Sequence, residues 1–134
     1  RYSSMNDIGR VVNPMIVRGQ LDGGAVQGIG QALLEQMVYD PTSGQPVTGS
    51  LMDYAAPRAD IMPDWFNTHT DSSVPSKNNV LGVKGVGELG TIGATPAVVN
   101  AVADALARHG RADLSPKLQM PLTPARMWSL LQTR

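Results

Sequence analysis

Apolar residues recur every three to four positions in three stretches of the chain, and this spacing predicts three helices. The first stretch covers residues 24–39, the second covers residues 96–109, and the third begins at Pro124. The residues expected on the apolar faces are Val26, Ile29, Leu33 and Met37 in the first, Val98, Ala101, Val102, Ala105 and Leu106 in the second, and Met127, Trp128, Leu130 and Leu131 in the third.

Short polar residues and prolines mark where these helices should begin. Asp22 precedes the first stretch, and its carboxylate can cap the free N–H groups of a first helical turn. Thr95-Pro96 and Thr123-Pro124 each combine a capping hydroxyl with a proline suited to the first helical position. Gly110 is a natural end for the second helix.

The segments between the helices contain strand and turn signals. Residues 6–14 are typical of a strand that ends in a turn, and residues 46–52 are expected to return as a strand after the turn at 41–45. Residues 57–75 are predicted to be a long connection in which Trp65-Phe66 can pair as an edge strand. We therefore predict an α+β fold, with about three helices packed on a mixed or mainly antiparallel sheet. Strand order stays open.

Residues 1–134 are expected to form a single domain or subdomain of a larger chain, because the sequence starts abruptly without an initiator methionine. Eleven basic residues balance eleven acidic ones without a basic cluster, so nucleic acid is not an expected partner. The absence of cysteine excludes disulfides and cysteine-ligated iron–sulfur clusters within the chain. His69 and His109 lie in different segments, so no metal site is expected. No apolar run approaches ~20 residues, so a membrane span is not expected, and the compartment is expected to be the cytoplasm or the periplasm.

The most informative stretch is residues 81–96, where Glu88 lies in a loop of glycine and small apolar residues. Five glycines occur within residues 82–93, which indicates a shaped loop that a ligand can approach closely. In such surroundings Glu88 should be partly shielded from water, which suits a carboxylate to proton transfer. The alternative is a surface turn whose glutamate is merely solvated.

The same loop contains Gly85-x-Gly87-x-x-Gly90, the pattern of a dinucleotide-binding motif. In that motif the helix begins within the glycines, whereas here its predicted start is at Thr95. No second strand ends in an acidic residue at the required distance. A nicotinamide-binding protein is therefore a weak alternative, and protection against unfolding by NAD would test it.

Five strings together resemble one family: residues 7–14, 19–30, 53–57, 81–95 and 120–124. In this order they resemble the C-terminal part of the molybdopterin-binding large subunit of the molybdenum hydroxylases. That family includes xanthine dehydrogenase, aldehyde oxidoreductase and aerobic carbon monoxide dehydrogenase. The resemblance covers about residues 7–131.

The resemblance implies that Glu88 is the general base of an oxidoreductase that hydroxylates an electron-poor carbon with water-derived oxygen. The substrate would be an N-heterocycle such as a purine, or an aldehyde. Gln20 would hydrogen-bond the pterin, and Lys84, Gly85, Val86 and Gly87 would line the metal end of the cofactor. The implied cofactor is molybdopterin, with the cytosine dinucleotide as an alternative form. Iron–sulfur clusters and FAD are expected on other domains or subunits, with the remainder of the large subunit as a partner.

Two departures from the family pattern affect the substrate and the local loop shape. Asp22 stands where relatives usually have histidine or glutamate, and residues 76–79 replace a more usual turn that contains Asn-Pro. The substrate therefore stays open among N-heterocycles, aldehydes and carbon monoxide. The fragment alone is expected to be inactive. The alternative is a structural or subunit-docking module of the same family without bound cofactor.

Overall fold

The computed structural model describes residues 1–64 and 66–133, which form an α+β fold. Its strands are β1 (Tyr2–Asp7) and β2 (Phe66–Asp71), and its α-helices are α1 (Pro14–Leu33), α2 (Leu89–Arg108) and α3 (Pro124–Leu131). Short 3-10 helices cover Ala59–Ile61 and Ala112–Lys117. The chain folds as two compact units: the first holds Arg1–Gly28 and Arg58–Ala94, and the second holds Ile29–Pro57 and the residues from Thr95 onward.

The sheet of the first unit is a parallel pair of strands, so the prediction of a mixed or mainly antiparallel sheet is wrong. β1 and β2 run in register from the pair Tyr2 and Phe66 to the pair Asp7 and Asp71. The Tyr2 and Phe66 rings stack with their centroids 5.1 Å apart. Parallel pairing requires a long crossover connection, and the chain between these strands contains the whole of α1. The predicted long connection at 57–75 is thus interrupted by a strand, while Trp65 lies outside the described residues.

Helix α1 begins at Pro14, well before the predicted start at residue 24. The side chain of Asn13 caps it, because its Oδ1 accepts a hydrogen bond from the Ile16 N–H at 3.2 Å. Asp22 therefore lies in the middle of the helix, and its prediction as the cap is wrong. The helix ends at Leu33, so Met37 lies outside it and is 48% exposed.

Helix α2 begins at Leu89, so the start predicted at Thr95 is also wrong. Its first turn packs directly on the backbone of α1: an ideal Cβ on Gly90 would lie 2.5 Å from the Leu21 carbonyl oxygen. Pro96 lies inside the helix and has no N–H with which to donate a helical hydrogen bond. The predicted end is confirmed, because Gly110 has a φ of +75°.

Helix α2 also has the length and composition of a membrane-spanning helix. It has 20 residues, and its most apolar window has a mean hydropathy of 1.3. The expectation that no apolar run approaches this length is therefore wrong. A core helix of a water-soluble protein meets the same criterion, so length and composition do not assign α2 to a membrane.

The second unit has its own small core, and the elements around it are only partly those predicted. Its buried apolar side chains are Ile29, Ala32, Leu106, Leu114 and Leu122. Leu122 is 4% exposed, and its N–H donates to the Ala32 carbonyl at 2.7 Å. The predicted strand at 46–52 is wrong: the return is a single bridge between Tyr39 and Pro46. Trp128, expected on the apolar face of α3, is 66% exposed.

The predicted start of α3 at Thr123-Pro124 is confirmed, and the capping role of Thr123 can be tested by mutation. The Thr123 hydroxyl accepts a hydrogen bond from the Arg126 N–H at 3.3 Å. We expect Thr123→Ala to destabilise the fold by about 1 kcal/mol, because one N–H of the first turn loses its acceptor. Thr123→Ser keeps the hydroxyl and should stay near wild type. Urea denaturation of the two variants measures the difference, and equal midpoints would contradict the capping role.

Candidate functional site

The glycine-rich loop is fixed at its start to the end of β1. The Arg10 N–H donates to the Gly82 carbonyl at 3.0 Å, and the Lys84 N–H donates to the Ile8 carbonyl at 2.9 Å. Gly9 lies between these bonds with a φ of +60°, and an ideal Cβ there would lie 2.3 Å from the Gly82 oxygen. A side chain at Gly9 would therefore separate the loop from the strand.

The loop is fixed at its other end by the packing of α2 on α1. Gly24 and Gly90 let the two backbones approach closely: an ideal Cβ on Gly24 would lie 3.1 Å from the Gly90 Cα. The Thr91 hydroxyl also donates to the Gly24 carbonyl at 2.9 Å. Glu88, the last residue before α2, is therefore held by a rigid helix start.

The same packing brings Gln20 of α1 to the loop. Gln20 lies one turn before Gly24, and its Oε1 is 3.7 Å from the position that a Cβ would take on Gly87. The Gln20 side chain is exposed, so its amide is accessible as a donor and an acceptor. The structure thus brings together two of the predicted site residues, Gln20 and Gly87, that are far apart in sequence.

An open groove of about 380 Å³ lies along this loop. It combines one carboxylate, that of Glu88, with backbone surface and apolar side chains. Its lining residues are Gly85, Val86, Gly87, Glu88, Leu89 and Ile92. Ile92 was not predicted as a site residue; it follows Glu88 by one helical turn, and its N–H donates to the Glu88 carbonyl at 3.1 Å. Residues four positions apart lie on the same face of a helix, so this spacing predicts Ile92 as a neighbour of Glu88 once the start of α2 is known.

Glu88 is exposed, so the expected shielding of its carboxylate is not provided by the described residues. Gly85 and Gly87 are exposed as well, and Val86 is half-buried. Apart from its chain neighbours, no heavy atom of the described residues lies within 4 Å of a Cβ position on Gly85. This face of the loop is therefore open to a bound group.

Lys84, predicted to line the metal end of a cofactor, forms an ion pair within the chain. Its Nζ lies 2.5 Å from Asp7 Oδ2, in an ion pair between the loop and the end of β1. The hydrogen bond from Lys84 lowers the pKa of the Asp7 carboxyl, and the Gly9 N–H lowers it further. The sequence separation of 77 positions gave no signal for this pair.

The lowered pKa of Asp7 predicts a loss of stability in acid. A carboxylate whose folded pKa lies below its unfolded value stabilises the fold above the unfolded value, about 4, and this contribution is lost as the pH falls through the folded pKa. We expect Asp7→Asn to unfold at a lower temperature than wild type at pH 7, and the difference to shrink as the pH falls below about 4. Thermal unfolding as a function of pH measures this, and a constant difference would contradict it.

Asp22 forms a second polar link within the first unit. Its carboxylate accepts hydrogen bonds from the Thr68 hydroxyl of β2 and from Arg18 Nε at 3.2 Å. This link connects α1 to the sheet next to Gln20. Among residues 1–64 and 66–133, no cluster of three or more histidine, cysteine or acidic side chains is arranged to hold a metal ion.

The start of α2 bears on the alternative of a dinucleotide-binding motif. Helix α2 does begin within Gly85-x-Gly87-x-x-Gly90, so the objection based on a later helix start is wrong. In the described part of the chain, however, Val83 makes only an isolated antiparallel bridge with Gly9, and no strand leads into the glycines. A dinucleotide motif requires that strand.

The donors around the groove match what a polar heterocyclic cofactor needs. Within the described residues, the N–H groups of Gly85, Val86, Gly87 and Glu88 donate no hydrogen bond to another residue. The nearby Gln20 amide adds a group that both donates and accepts. The loop therefore offers several free donors beside one carboxylate.

Comparison with known families gives a match to a segment of the chain that contains Gln20. The model of the molybdopterin cofactor-binding domain matches residues 1–63, which end before Glu88.

Relatives with known names cover almost the whole chain. Over 132 residues it is 41% identical to the 6-hydroxypseudooxynicotine dehydrogenase complex subunit gamma of Paenarthrobacter nicotinovorans, covering 98% of this chain and 16% of that protein. Over 124 residues it is 44% identical to the nicotine 6-hydroxylase large subunit of the same organism, covering 92% of this chain and 14% of that one.

A solved structure agrees with the fold. Quinoline 2-oxidoreductase from Pseudomonas putida 86 superposes with a TM-score of 0.84 at 41% identity, covering 98% of this chain and 16% of that one. The chain thus spans about a sixth of the length of the proteins it matches.

Proposed function

The chain belongs to the molybdopterin cofactor-binding domain of the molybdenum hydroxylase large subunits, and from this premise we propose that it forms part of a molybdopterin-dependent hydroxylase whose general base is Glu88. The complete enzyme would hydroxylate an electron-poor carbon with oxygen derived from water. The expected fold, a fragment of a larger molybdopterin-binding domain, agrees with this premise.

One observation supports this proposal above the others: Gln20 lies beside Gly87, and Gly87 and Glu88 line an open groove, although the sequence separates Gln20 widely from this loop. The close packing of Gly24 on Gly90 produces that arrangement. A solvated turn would not need two helices in backbone contact to hold it in place.

The residues present fit a molybdopterin group. The Gln20 amide would bind polar atoms of the pterin, and the free N–H groups of Gly85, Val86 and Gly87 would donate to oxygen atoms of the cofactor. When bound, the cofactor takes up the two electrons that hydroxylation of a carbon releases. Lys84 is expected at the metal end of the cofactor, and it also pairs with Asp7.

Glu88 would act by accepting a proton at its side-chain carboxylate. The residue is exposed, so its carboxylate is accessible to a group that gives up a proton. The start of α2 fixes its backbone, which limits where the carboxylate can lie. Leu89 and Ile92 line the same groove and would exclude water from one side of the reacting groups.

The substrate we propose is a nitrogen-containing heteroaromatic ring. The names of two relatives and of one solved structure, each at least 41% identical to this chain, refer to nicotine, a nicotine derivative and quinoline. Ring nitrogens withdraw electrons from the adjacent carbons, which makes those carbons open to attack by an oxygen nucleophile. Val86 and Ile92 give the groove apolar side chains suited to a flat ring.

We further propose that the complete enzyme passes its electrons through iron–sulfur and flavin groups on other domains or subunits. Two of the relatives are named as a complex subunit and a large subunit. The chain has no cysteine with which to hold such a cluster itself. The remainder of the large subunit would complete the cofactor site.

The test is made on the purified complete enzyme from a host that produces the cofactor. Molybdenum content is measured first, followed by dye-linked turnover of quinoline, nicotine, a purine, an aldehyde and carbon monoxide. We expect bound molybdenum and turnover of the heteroaromatic substrates. Bound molybdenum with turnover of a different substrate class would replace the heteroaromatic substrate by that class. Absence of molybdenum would favour the structural or docking module.

The role of Gln20 gives a further prediction. Gln20→Leu should weaken retention of the cofactor about fivefold, because a neutral hydrogen bond contributes about 1 kcal/mol. Gln119→Leu, a matched change of an exposed glutamine in the second unit, should leave retention unchanged. Molybdenum content after dialysis measures both. Equal retention in all three proteins would remove Gln20 from the cofactor site.

A further inference from the structure

Three segments of the first unit meet at the end of the sheet. Asp7 and Asp71 are register partners that end β1 and β2. Each carboxylate accepts a hydrogen bond from the N–H two residues later, Asp7 from Gly9 at 3.1 Å and Asp71 from Ser73 at 2.8 Å. Lys84 brings the third segment, the start of the glycine-rich loop, onto Asp7.

The ion pair lies beside the backbone bonds that attach the loop. The Lys84 N–H donates to Ile8, the residue after Asp7, so backbone and side chain of Lys84 both bind the end of β1. The Lys84 side chain is 31% exposed, compared with 76% for Arg108 in its ion pair with Asp104. The Lys84 pair is therefore more shielded from solvent and is joined to fixed backbone on both sides.

We propose that Asp7 and Lys84 are positioning residues that set the location of Glu88. This proposal rests on the proposed function, because it concerns the same base. Between Lys84 and the helix start at Leu89 lie four residues, Gly85, Val86, Gly87 and Glu88, whose N–H groups donate to no other described residue. The position of Glu88 is thus set by the two ends of the loop, and the Asp7–Lys84 pair fixes the end at Lys84.

This inference changes the role expected for Lys84. Its ammonium group is held by a carboxylate, so its charge is largely compensated before any cofactor arrives. Lys84 then acts on the site through Asp7 and the backbone, and Asp7 becomes as important for turnover as Lys84 itself. A direct cofactor ligand would show no such dependence on Asp7.

The test uses the complete enzyme with Asp7→Asn, Lys84→Met, the double variant and Lys84→Arg. We expect kcat per bound molybdenum to fall about tenfold to a hundredfold in both single variants, because small displacements of a catalytic group have effects of this size. KM should change little. The double variant should have about the same kcat as the single variants, because both changes break the same ion pair. Lys84→Arg keeps the positive charge and should therefore retain most of the wild-type kcat. Arg108→Met, which removes the cation of a more exposed ion pair, is the control and should keep the wild-type rate.

Two outcomes would overturn the proposal. Loss of molybdenum in Lys84→Met but not in Asp7→Asn would make Lys84 a cofactor ligand. Lower thermal stability with unchanged kcat per bound molybdenum would make the pair merely structural.

Hydrogen–deuterium exchange of residues 82–84, whose N–H groups donate hydrogen bonds, separates failure of this inference from failure of the proposed function. Exchange should be faster in Asp7→Asn and Lys84→Met than in wild type, with or without molybdenum. If the wild-type enzyme holds no molybdenum, the proposed function fails; faster exchange then still supports the control of the loop by Asp7 and Lys84, and unchanged exchange overturns it.

Discussion

Glu88→Gln in the complete enzyme is expected to abolish measurable turnover while the molybdenum content stays at the wild-type level. Glutamine preserves the size of the side chain but cannot accept the proton, and the loss of a general base costs about a hundredfold to ten-thousandfold in rate. The backbone of Glu88 is held by the start of α2, so the loop should keep its shape. Turnover divided by bound molybdenum, measured with a heteroaromatic substrate, gives the result.

Asp104→Asn is the matched control for that measurement. It also replaces an exposed carboxylate by an amide, but it lies on α2 in the second unit and pairs with Arg108. Its turnover should equal that of wild type. Full activity in Glu88→Gln would remove Glu88 from the mechanism, and loss of molybdenum together with activity would make it part of the cofactor-binding site instead.

Gly90→Ala is expected to destabilise the protein by about 3 kcal/mol and to lower its molybdenum content. Its Cβ would lie 2.5 Å from the Leu21 oxygen, 2.6 Å from the Ala25 nitrogen and 2.8 Å from the Gly24 carbonyl carbon. These are backbone atoms, which cannot rotate away as a flexible side chain can, so α2 must move off α1. Because that packing brings Gln20 to Gly87, the displacement should open the site as well.

Gly93→Ala provides a control on the same helix. Within residues 1–64 and 66–133, no heavy atom lies within 4 Å of a Cβ position on Gly93 apart from its helix backbone and chain neighbours. Alanine is favoured over glycine within a helix by about 1 kcal/mol, so this variant should be as stable as wild type or slightly more stable. Thermal unfolding of both variants tests the packing, and equal effects at the two positions would contradict it.

The features that the sequence predicted correctly depend on neighbouring residues. Thr123 caps α3 through a contact three positions away, and Gly110 ends α2 through its own backbone conformation. The loop that contains Glu88 is also one continuous stretch and is therefore visible in the sequence, whereas the role of Glu88 stays a prediction. Such signals are contained in a few consecutive residues, so they can be read without knowing the fold.

The features that were predicted wrongly depend on distant partners. Thr95-Pro96 is a valid local start signal, but contact of Gly90 with Gly24 extends α2 by more than a turn beyond it. The parallel pairing of β1 with β2 joins strands separated by most of the first half of the chain. The pairing of Lys84 with Asp7 across 77 positions follows only from that arrangement. The exposure of Glu88 likewise depends on which residues from elsewhere in the chain pack against it, and the sequence of its own loop does not contain that information.

The most direct test of the central claim is the origin of the oxygen in the product. The complete enzyme is supplied with quinoline and an electron-accepting dye in water enriched in oxygen-18, with a parallel sample under oxygen-18 gas in ordinary water. We predict that the hydroxylated product carries the label from water and none from the gas, and that Glu88→Gln forms no labelled product. Label from the gas, or an enzyme without molybdenum that still hydroxylates, would contradict the account.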